Sequence, residues 1–319
     1  MDLSIVIPFY NEQESIEELI GWIERVLSDQ KLEYEIIMVD DGSNDGSWKI
    51  VEQLAGRRKY LKAIRFRRNY GKSAALQCGF QASQGKVVIT MDADLQDSPD
   101  EIPALYHMIM HEGYDLVSGW KKVRHDPVSK RWPSKIYNAV ARWVTGIKLH
   151  DFNCGLKAYR QQVVKSIEVY GDMHRNIPFL AKQAGFKKIG EKVVQHRKRK
   201  YGESKYGWQR FVTGFLDLLT LVFITKFGRR PMHFFGVLGS LMFLFGFIGA
   251  AFLGAEKIYA VKNHIKAPLV TSNPYFYMAL VAMILGTQLF LSGFLAELIV
   301  RSSSDRNNYM IEQKVNLTE

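Results

Sequence analysis

Two aspartates separated by one residue, Asp92 and Asp94, follow a short apolar run and could act together on one ligand. At the end of a strand, their side chains can point to the same side of a loop. Mg²⁺ and Mn²⁺ typically use one or two carboxylates plus the phosphates of a substrate. With a second aspartate pair near another strand end, this pair suggests a nucleotide diphosphate held through a metal ion. The ion would neutralise charge that builds on a departing diphosphate.

Two other polar clusters also follow apolar runs. One comprises residues 8–12, with the sequence PFYNE, and the other comprises residues 40–46, with the sequence DDGSNDG. Asp40 and Asp41 could accept hydrogen bonds from a nucleobase or from ribose hydroxyls, as acidic residues at strand ends do in dinucleotide-binding folds. One cluster alone is weak evidence, because Asp and Asn often begin turns and cap helices. Three clusters after three strands favour a functional site.

The elements that must position these clusters alternate between strands and helices. Apolar runs predict strands at 3–7, 35–39, 61–66, 87–91 and 114–118, and helical spacing of apolar residues predicts helices at 16–27, 47–55 and 73–82. This alternation predicts an α/β fold with a mostly parallel sheet that is covered by helices on both faces. Ligands bind such sheets beyond the carboxyl ends of the strands. The three polar clusters are therefore expected at one edge of one sheet.

The composition separates the chain into two unlike parts. The chain has 319 residues, and its 43 basic and 32 acidic residues give a formal net charge of +11. Its 47% of hydrophobic and 24% of charged residues exclude collagenous, low-complexity and wholly disordered classes. Residues 1–207 mix apolar and charged residues, whereas the runs at 234–253 and 275–296 contain no charged residue. Those runs are 20 and 22 residues long and can cross the ~30 Å apolar layer of a bilayer as helices.

Charges and cysteines predict the side of the membrane on which the soluble part lies. Basic residues flank the apolar runs, namely Lys226, Arg229 and Arg230 before the first and Arg301 and Arg306 after the second. Both ends should therefore face the cytosol. The N-terminus lacks a basic region and resembles a buried strand, not a signal peptide. Cys78 and Cys154 indicate free thiols in a reducing compartment. We expect a multi-pass protein of the inner (plasma) membrane with both termini cytosolic.

Nine of the eleven surplus positive charges lie at 187–230, a stretch with 12 basic and three acidic residues. Within it, residues 207–230 place apolar side chains at helical spacing opposite polar ones. A basic segment followed by an amphipathic helix is typical of proteins that lie on an anionic membrane surface. An ordinary helix packed on the domain would show the same pattern, and one helix could both pack on the domain and lie on the membrane surface. The tail at 301–319 is polar and is expected to be poorly ordered.

Several separate motifs resemble glycosyltransferase family 2. In chain order they are IVIPFYNE, VDDGSNDG, MDADLQD, DFNCGLKAY and RKYGESKY, all ahead of the apolar runs. The chain is most similar to the polyprenyl-phosphate sugar transferases of that family, of the dolichol-phosphate mannose synthase and bactoprenol glucosyltransferase types. The resemblance implies a cytosolic GT-A domain, a Rossmann-like α/β fold, at 1–206. It also implies a membrane-surface helix and basic linker at 207–230, two transmembrane helices within 231–300, at about 234–253 and 275–299, and a polar cytosolic tail at 301–319.

The resemblance also implies roles for individual residues. The nucleotide sugar would be bound by Pro8, Tyr10, Asn11, Glu12, Asp40, Asp41, Asp92 and Ala93. A divalent cation, Mg²⁺ or Mn²⁺, would be surrounded by Asp92, Asp94 and Gln96. The acceptor phosphate would meet Lys121, Arg131, Ser134, Arg199, Ser204 and Lys205. The candidate catalytic residues are Asp94 and Asp151, the latter as a base or as a positioning carboxylate. Relatives often have Ser-Arg where this chain has Trp120 and Lys121, and lysine lacks the planar fork with which arginine grips a phosphate.

The implied reaction moves one sugar, with inversion, from a nucleotide sugar to a polyprenyl phosphate such as undecaprenyl phosphate. UDP-glucose is the first candidate donor, and GDP-mannose or another UDP-sugar is the alternative. A phosphate monoester is largely dianionic near neutral pH, its second pKa being about 6, so it can attack the anomeric carbon without a strong base. Catalysis would then depend on positioning and on cations at both the acceptor and the leaving group.

Three other functions compete with this one. Nucleic-acid binding would explain the net charge but neither the acidic sheet edge nor the apolar runs. A membrane-tethered protein that binds a nucleotide sugar without catalysis would carry the same motifs. A processive polysaccharide synthase normally has more spans and a QxxRW motif, and neither is visible in the sequence. The expected partners are a nucleotide sugar, a polyprenyl phosphate and the bilayer, without nucleic acid, and a homo-oligomer is left open.

Overall fold

The computed structural model describes residues 1–122, 128–197, 200, 201, 223, 231–266, 268–302 and 311–316. The chain divides into two compact units, one formed by Met1–Leu221 with Arg306–Glu319 and one by Val222–Asp305. The first unit contains an eight-stranded sheet, and the second contains two long apolar helices. The predicted fold class, a mostly parallel α/β domain followed by two apolar helices, is confirmed. The predicted membrane-surface helix at 207–230 lies outside the described residues, apart from Phe223.

The strands are β1 (Leu3–Phe9), β2 (Tyr34–Asp40), β3 (Leu61–Phe66), β4 (Val87–Thr90), β5 (Leu116–Trp120), β6 (Lys157–Arg160), β7 (Ile189–Val193) and β8 (Ile311–Val315). The described helices are α1 (Ile16–Ser28), α2 (Ser47–Arg57), α3 (Lys72–Ala82), α4 (Ile102–Met110), α5 (Val128–Thr145), α6 (Gln161–Ser166), α7 (Ile177–Gln183), α8 (Pro231–Lys262) and α9 (Pro274–Ser302). The five strands and three helices predicted from apolar spacing within residues 3–118 are present, with their ends within about two residues of the prediction.

The sheet order is β7-β5-β6-β4-β1-β2-β3-β8. Strands β4, β1, β2 and β3 are parallel neighbours, and β5 pairs in parallel with β7. Strand β6 runs antiparallel between β4 and β5, and β8 runs antiparallel to β3. Because β4, β1 and β2 point the same way, their carboxyl ends lie at one edge of the sheet. The polar segments that follow these strands therefore meet there.

The centre of the sheet is a rigid platform for those segments. Strand β1 is buried along its whole length, as expected for a central parallel strand with helices on both faces. Helix α1 contributes one apolar stripe to the core, namely Ile16, Leu19, Ile20, Ile23 and Leu27. Burial of each such side chain contributes about 1.5–3 kcal/mol. The loops after β1, β2 and β4 thus begin from fixed points.

The C-terminal tail differs from the sequence-based expectation of poor order. Residues Ile311–Val315 form β8 on the edge of the sheet. Asn316 follows with a φ of 60°, and its Nδ2 donates to the backbone oxygens of Ala55 at 3.0 Å and Leu61 at 2.9 Å. The expectation was wrong for this segment because the open edge of β3 offers backbone hydrogen bonds to a polar strand.

Helices α8 and α9 are long and apolar enough to cross a membrane, at Met232–Lys262 and Pro274–Ala296. Their large apolar side chains are exposed, for example Phe245 at 78% and Phe252 at 67%, which is unlike a core helix of a soluble protein. Glycines lie where the two helices meet. A Cβ at Gly286 would lie 2.5 Å from the backbone nitrogen of Phe243 and 2.6 Å from the backbone oxygen of Gly239. Small residues permit this close approach between membrane helices.

Gly286→Leu should therefore weaken the pairing of α8 and α9, because its side chain would force the two backbones apart at an expected cost of about 1–3 kcal/mol. The measurement is the midpoint of unfolding of the detergent-solubilised protein in an SDS titration. Gly254→Leu is the matched control, because a Cβ at Gly254 meets nothing within 4 Å. Equal midpoints for the two variants would contradict close packing at Gly286.

Candidate active site

A cleft of about 350 Å³ opens at the carboxyl ends of β1, β2 and β4. It is lined by Pro8, Phe9, Tyr10, Glu12, Asp41, Asn69, Gly71, Lys72, Asp92, Ala93 and Asp94. Seven of these eleven residues were predicted to bind the nucleotide sugar or a metal, so the structure brings most of the predicted donor site together. Asn69, Gly71 and Lys72 come from the loop after β3 and the start of α3, a segment that belongs to none of the three predicted polar clusters.

Asn11 and Asp40, which were also predicted to bind the nucleotide, do not line the cleft but brace the loops that form it. The Asn11 N–H donates to Ser43 Oγ at 2.9 Å, and Asn11 Oδ1 accepts the N–H of Asn44 at 2.9 Å. Asp40 is fully buried, accepts the N–H of Ser43 at 2.8 Å and lies 3.5 Å from Arg65 Nε. Burial raises the pKa of the Asp40 carboxyl. These contacts hold the loop after β2 against the loop after β1.

Asp41 attaches the loop after β3 to the same edge. Its Oδ1 accepts the N–H groups of Tyr70 at 2.7 Å and Gly71 at 3.1 Å, and its Oδ2 lies 3.0 Å from the Gly71 nitrogen. Gly71 has a φ of 94°, a conformation that favours glycine. Burial raises the pKa of Asp41 to about 6, despite the hydrogen bonds from these N–H groups. The polar residues RRNYGK, at 67–72, directly follow β3, which is the pattern that identified the other three clusters.

Asp92 and Asp94 enter the cleft from the loop after β4. Asp94 Oδ1 accepts the N–H of Gln96 at 3.2 Å. Asp92 forms an ion pair with the ammonium of Lys72, the first residue of α3. The backbone of Gly155 closes the other side of Asp92, because a Cβ at Gly155 would lie 2.5 Å from Asp92 Oδ2.

The two carboxyls of this pair have different protonation equilibria. Burial acts to raise the pKa of Asp92, but the positive charges of Lys72 and Lys121 outweigh it and hold that pKa at about 2. Burial raises the pKa of Asp94 to about 6, and the negative charges of Asp92 and Asp97 add to this effect. One carboxylate is therefore firmly ionised beside another that ionises near neutral pH.

This carboxylate pair fits a divalent cation of the Mg²⁺ or Mn²⁺ type. Among the described residues, no group of three or more His, Cys, Asp or Glu side chains could hold an ion alone. Substrate phosphates and water would therefore complete the coordination, as is usual for Mg²⁺. The Lys72 ammonium on Asp92 demonstrates that this carboxylate accepts a cation. Gln96, the predicted third ligand, donates from its Nε2 to the backbone oxygen of Arg197 at 3.4 Å.

The predicted base and acceptor residues either do not line the cleft or lie outside the described residues. Asp151 is 1% exposed, and its Oδ1 accepts the N–H of Asn153 at 3.0 Å in the loop before β6. Ser134 is buried, with its Oγ 3.5 Å from Asn153 Nδ2. The side chain of Arg131 and the whole of Arg199, Ser204 and Lys205 lie outside the described residues.

Lys121, the remaining predicted phosphate ligand, forms a buried ion pair. Its Nζ lies 2.6 Å from Oδ1 of Asp97, whose side chain is fully buried. Burial alone would lower the pKa of Lys121, but the Asp97 carboxylate raises it above its ordinary value. The ammonium is thus held by Asp97, a residue of the loop after β4, and it contributes positive charge to Asp92 of the same loop.

A second, small cavity shares Lys72 with the cleft, and the sequence motifs did not predict it. Its polar lining includes Lys72, Asn153, Lys157, His174 and Arg175. Lys157 is buried and donates to the backbone oxygen of Cys154. Ser73 Oγ accepts the backbone N–H of His174 and lies 3.1 Å from its Nδ1. Burial lowers the pKa of His174 well below its ordinary value, so its ring is neutral.

Comparison with known proteins places this cleft in a family. Glycosyl transferase family 2 matches residues 4–168, which is more than half of the chain. The chain belongs to glycosyl transferase family 2. This match confirms the resemblance seen in the sequence motifs, and the matched region contains β1 to β6 and every described residue that lines the cleft.

Relatives of this family 2 glycosyltransferase align along almost its entire length. Dodecaprenyl-phosphate galacturonate synthase of Rhizobium johnstonii is 34% identical over 98% of this chain and 93% of that protein. Undecaprenyl-phosphate 4-deoxy-4-formamido-L-arabinose transferase of Pseudomonas savastanoi pv. phaseolicola is 35% identical over 98% of this chain and 90% of that protein. The alignment therefore extends through the two apolar helices as well as the sheet.

Solved structures share the fold of the glycosyltransferase domain. Glucosyl-3-phosphoglycerate synthase of Mycobacterium tuberculosis in complex with phosphoglyceric acid has a TM-score of 0.55 at 21% identity, over 70% of this chain and 79% of that chain. The complex of the same enzyme with Mn²⁺, UDP-glucose and glycerol 3-phosphate has a TM-score of 0.53 at 21% identity, over 70% and 79%. These similarities establish the shared architecture of the domain.

Asp41→Asn should change how the stability of the glycosyltransferase depends on pH. Because burial raises the pKa of Asp41 to about 6, the unfolded chain, whose Asp pKa is about 4, loses this proton first. The Asp41 contribution to stability therefore falls as the pH rises from about 4 to about 6. Asparagine still accepts from the N–H groups of Tyr70 and Gly71 and does not ionise.

We expect the melting temperature of the variant, minus that of the wild type, to increase from about pH 4 to about pH 7. The measurement is thermal unfolding of the full chain in detergent across that range. Asp29→Asn, at the exposed end of α1, is the control for loss of one carboxylate outside the cleft. A constant difference for Asp41→Asn would contradict the raised pKa.

Proposed function

We propose that this glycosyltransferase moves one sugar from a nucleotide sugar to a polyprenyl phosphate at a membrane. The observation that carries the proposal is the Asp92 and Asp94 pair in a cleft of a chain that also has two apolar helices. A donor dissolved in water and an acceptor dissolved in the bilayer require both parts. The names of the relatives, which transfer sugars to dodecaprenyl and undecaprenyl phosphate, support the same acceptor class.

On the donor side, the cleft offers groups suited to each part of a nucleotide sugar. Asp92 and Asp94 would hold the divalent cation with the diphosphate, and the cation would stabilise negative charge on the leaving group. Phe9 and Tyr10 provide aromatic surface for a base, and the Glu12 carboxylate can accept hydrogen bonds. The Mn²⁺ and UDP-glucose complex of the structural neighbour supports a UDP-sugar, with Mg²⁺ as the alternative ion.

On the acceptor side, the phosphate supplies its own nucleophile. A bond forms between a phosphate oxygen and the anomeric carbon while the bond from that carbon to the diphosphate breaks, with inversion. Because the phosphate is a dianion near neutral pH, no strong base is needed. The burial of Asp151 supports a positioning role through its loop over a role as a base. Arg131, Ser134, Arg199, Ser204 and Lys205 remain the proposed contacts to the acceptor phosphate.

The transferred sugar is the least constrained part of the proposal. Glucose from UDP-glucose is the candidate from the sequence motifs. The relatives add two others, since one is named for galacturonate and one for 4-deoxy-4-formamido-L-arabinose. A useful donor panel therefore contains UDP-glucose, the UDP-linked forms of those two sugars, a UDP-hexosamine and GDP-mannose.

The connectivity of the chain supports cytosolic positions for both termini in the inner membrane. Strand β8 follows the second apolar helix, yet it pairs in the sheet that precedes the first one. Both ends of the α8 and α9 pair thus lead into the same unit. An even number of crossings places those ends on one side of the bilayer, and the flanking basic residues support the cytosolic side.

Asp94→Ala should abolish transfer, because it removes a carboxylate from the proposed cation site. The assay incubates detergent-solubilised protein with Mn²⁺ or Mg²⁺, undecaprenyl phosphate and a labelled donor, and measures label in the organic-extractable product. We expect a rate loss on the order of 100-fold or more. Asp29→Ala, at the exposed end of α1, should retain wild-type activity.

Two outcomes of this assay would contradict the proposal. Wild-type activity in Asp94→Ala would rule out its carboxylate as a catalytic group. Absence of transfer from every donor of the panel by folded wild-type protein would favour the rival function, a membrane-tethered protein that binds nucleotide sugars without catalysis.

Cysteine labelling tests the proposed topology. Lys266→Cys, in the exposed connection between α8 and α9, should react with a membrane-impermeant maleimide in intact cells. Lys59→Cys, exposed in the sheet-containing unit, should react only after the cells are permeabilised. The native Cys78 and Cys154 are buried and give a low background. The reverse pattern of labelling would overturn the proposed orientation.

A further inference from the structure

The start of α3 lies beside the loop after β4, which carries Asp92 and Asp94. Lys72 is its first residue, and the Lys72 ammonium contacts Oδ1 of Asp92. The preceding residues, Tyr70 and Gly71, are held through their N–H groups by Asp41. The backbone that carries Lys72 is therefore fixed, while its long side chain keeps four rotatable bonds. Lys72 and Asp92 are about equally exposed, at 29% and 32%, so water and solutes reach the pair.

The other cations near Asp92 have different partners. Lys121 pairs with Asp97 at 2.6 Å, and Lys157 donates to the backbone oxygen of Cys154. Both act on Asp92 through their charge, whereas Lys72 also forms a hydrogen bond with it. Among the described residues, Lys72 is thus the cation in direct contact with a carboxylate oxygen that a divalent ion would use.

An ammonium and a divalent cation cannot occupy the same side of one carboxylate oxygen. The Lys72 side chain lines both the cleft and the second, small cavity that contains Lys157 and His174. The cavity side presents further positive charge from Lys157 and Arg175, which disfavours retreat of the ammonium in that direction. An ammonium that leaves Asp92 is therefore directed to the cleft, where an anionic diphosphate would receive it.

We infer that Lys72 is an exchangeable counter-ion of Asp92: its ammonium competes with the divalent cation for this carboxylate and is displaced when the cation binds. The inference rests on the proposed metal-dependent function. It makes Lys72 a positioning residue that weakens binding of the bare ion. It also links ion binding to the presence of a donor, because the diphosphate offers the displaced ammonium a new partner.

The test is the affinity of the full detergent-solubilised chain for Mn²⁺ alone, measured from the electron paramagnetic resonance signal of free Mn²⁺. Lys72→Gln should lower the Kd for Mn²⁺ on the order of tenfold, because it removes a competing charge from the ligand. Lys72→Arg keeps the charge and should bind Mn²⁺ as weakly as the wild type. Lys86→Gln is the matched control for loss of one ion-paired lysine. Lys86 pairs with Asp2 and lies just before β4, at the amino end of that strand and not at its carboxyl end, where the cleft opens.

Asp92→Asn distinguishes an error in the proposed metal site from an error in the role of Lys72. If it abolishes Mn²⁺ binding while Lys72→Gln leaves the Kd unchanged or raises it, the metal site stands and the role of Lys72 is overturned. If neither the wild type nor Lys72→Gln binds Mn²⁺, both the metal site and the inference are overturned. Tighter binding in Lys72→Gln but not in Lys72→Arg supports the inference, and folding of each variant is checked from its melting temperature.

Discussion

Carboxylates crowded at one partly buried edge of a sheet repel one another, and the architecture around the cleft balances that repulsion. Asp92, Asp94 and Asp97 belong to one loop, and an uncompensated buried charge would cost several kcal/mol. The compensating ammonium groups come from three separate places, namely Lys72 of α3, Lys121 after β5 and Lys157 of β6. Because these elements are distant in sequence, the charge balance exists only when the sheet is assembled. The antiparallel insertion of β6 between β4 and β5 is what brings Lys157 to the loop after β4.

The polar residues at the cleft divide into those that line it and those that connect its loops by hydrogen bonds. Asp41 does both, since it lines the cleft and binds the backbone of the loop after β3. Asp40 and Asn11 brace neighbouring loops through side-chain to backbone hydrogen bonds. Such bonds satisfy backbone groups that a tight loop would otherwise leave unpaired. A substitution at a bracing residue would therefore move a wall of the cleft without removing a ligand.

The membrane part follows a different physical rule. Between α8 and α9, glycines permit backbone contact, whereas the large side chains of both helices are exposed, as suits a bilayer but not water. The chain then returns to the sheet as β8, which pairs with β3 through backbone hydrogen bonds, and the Asn316 side chain donates to two backbone oxygens beside it. That mode of attachment explains why a polar tail with few apolar residues could be misjudged as poorly ordered.

The sequence by itself determined the fold class, the strand ends that carry the site and the two apolar helices, because each depends on short-range patterns of apolar and polar residues. It also led to the family, through motifs such as MDADLQD that are contiguous in the chain. Only the tertiary structure decided that Lys72 contacts Asp92, that Lys121 pairs with Asp97, and that Asp40 and Asp151 are buried braces. The physical reason is that residue type and spacing encode which groups can act, whereas burial and pairing depend on contacts between segments far apart in the chain.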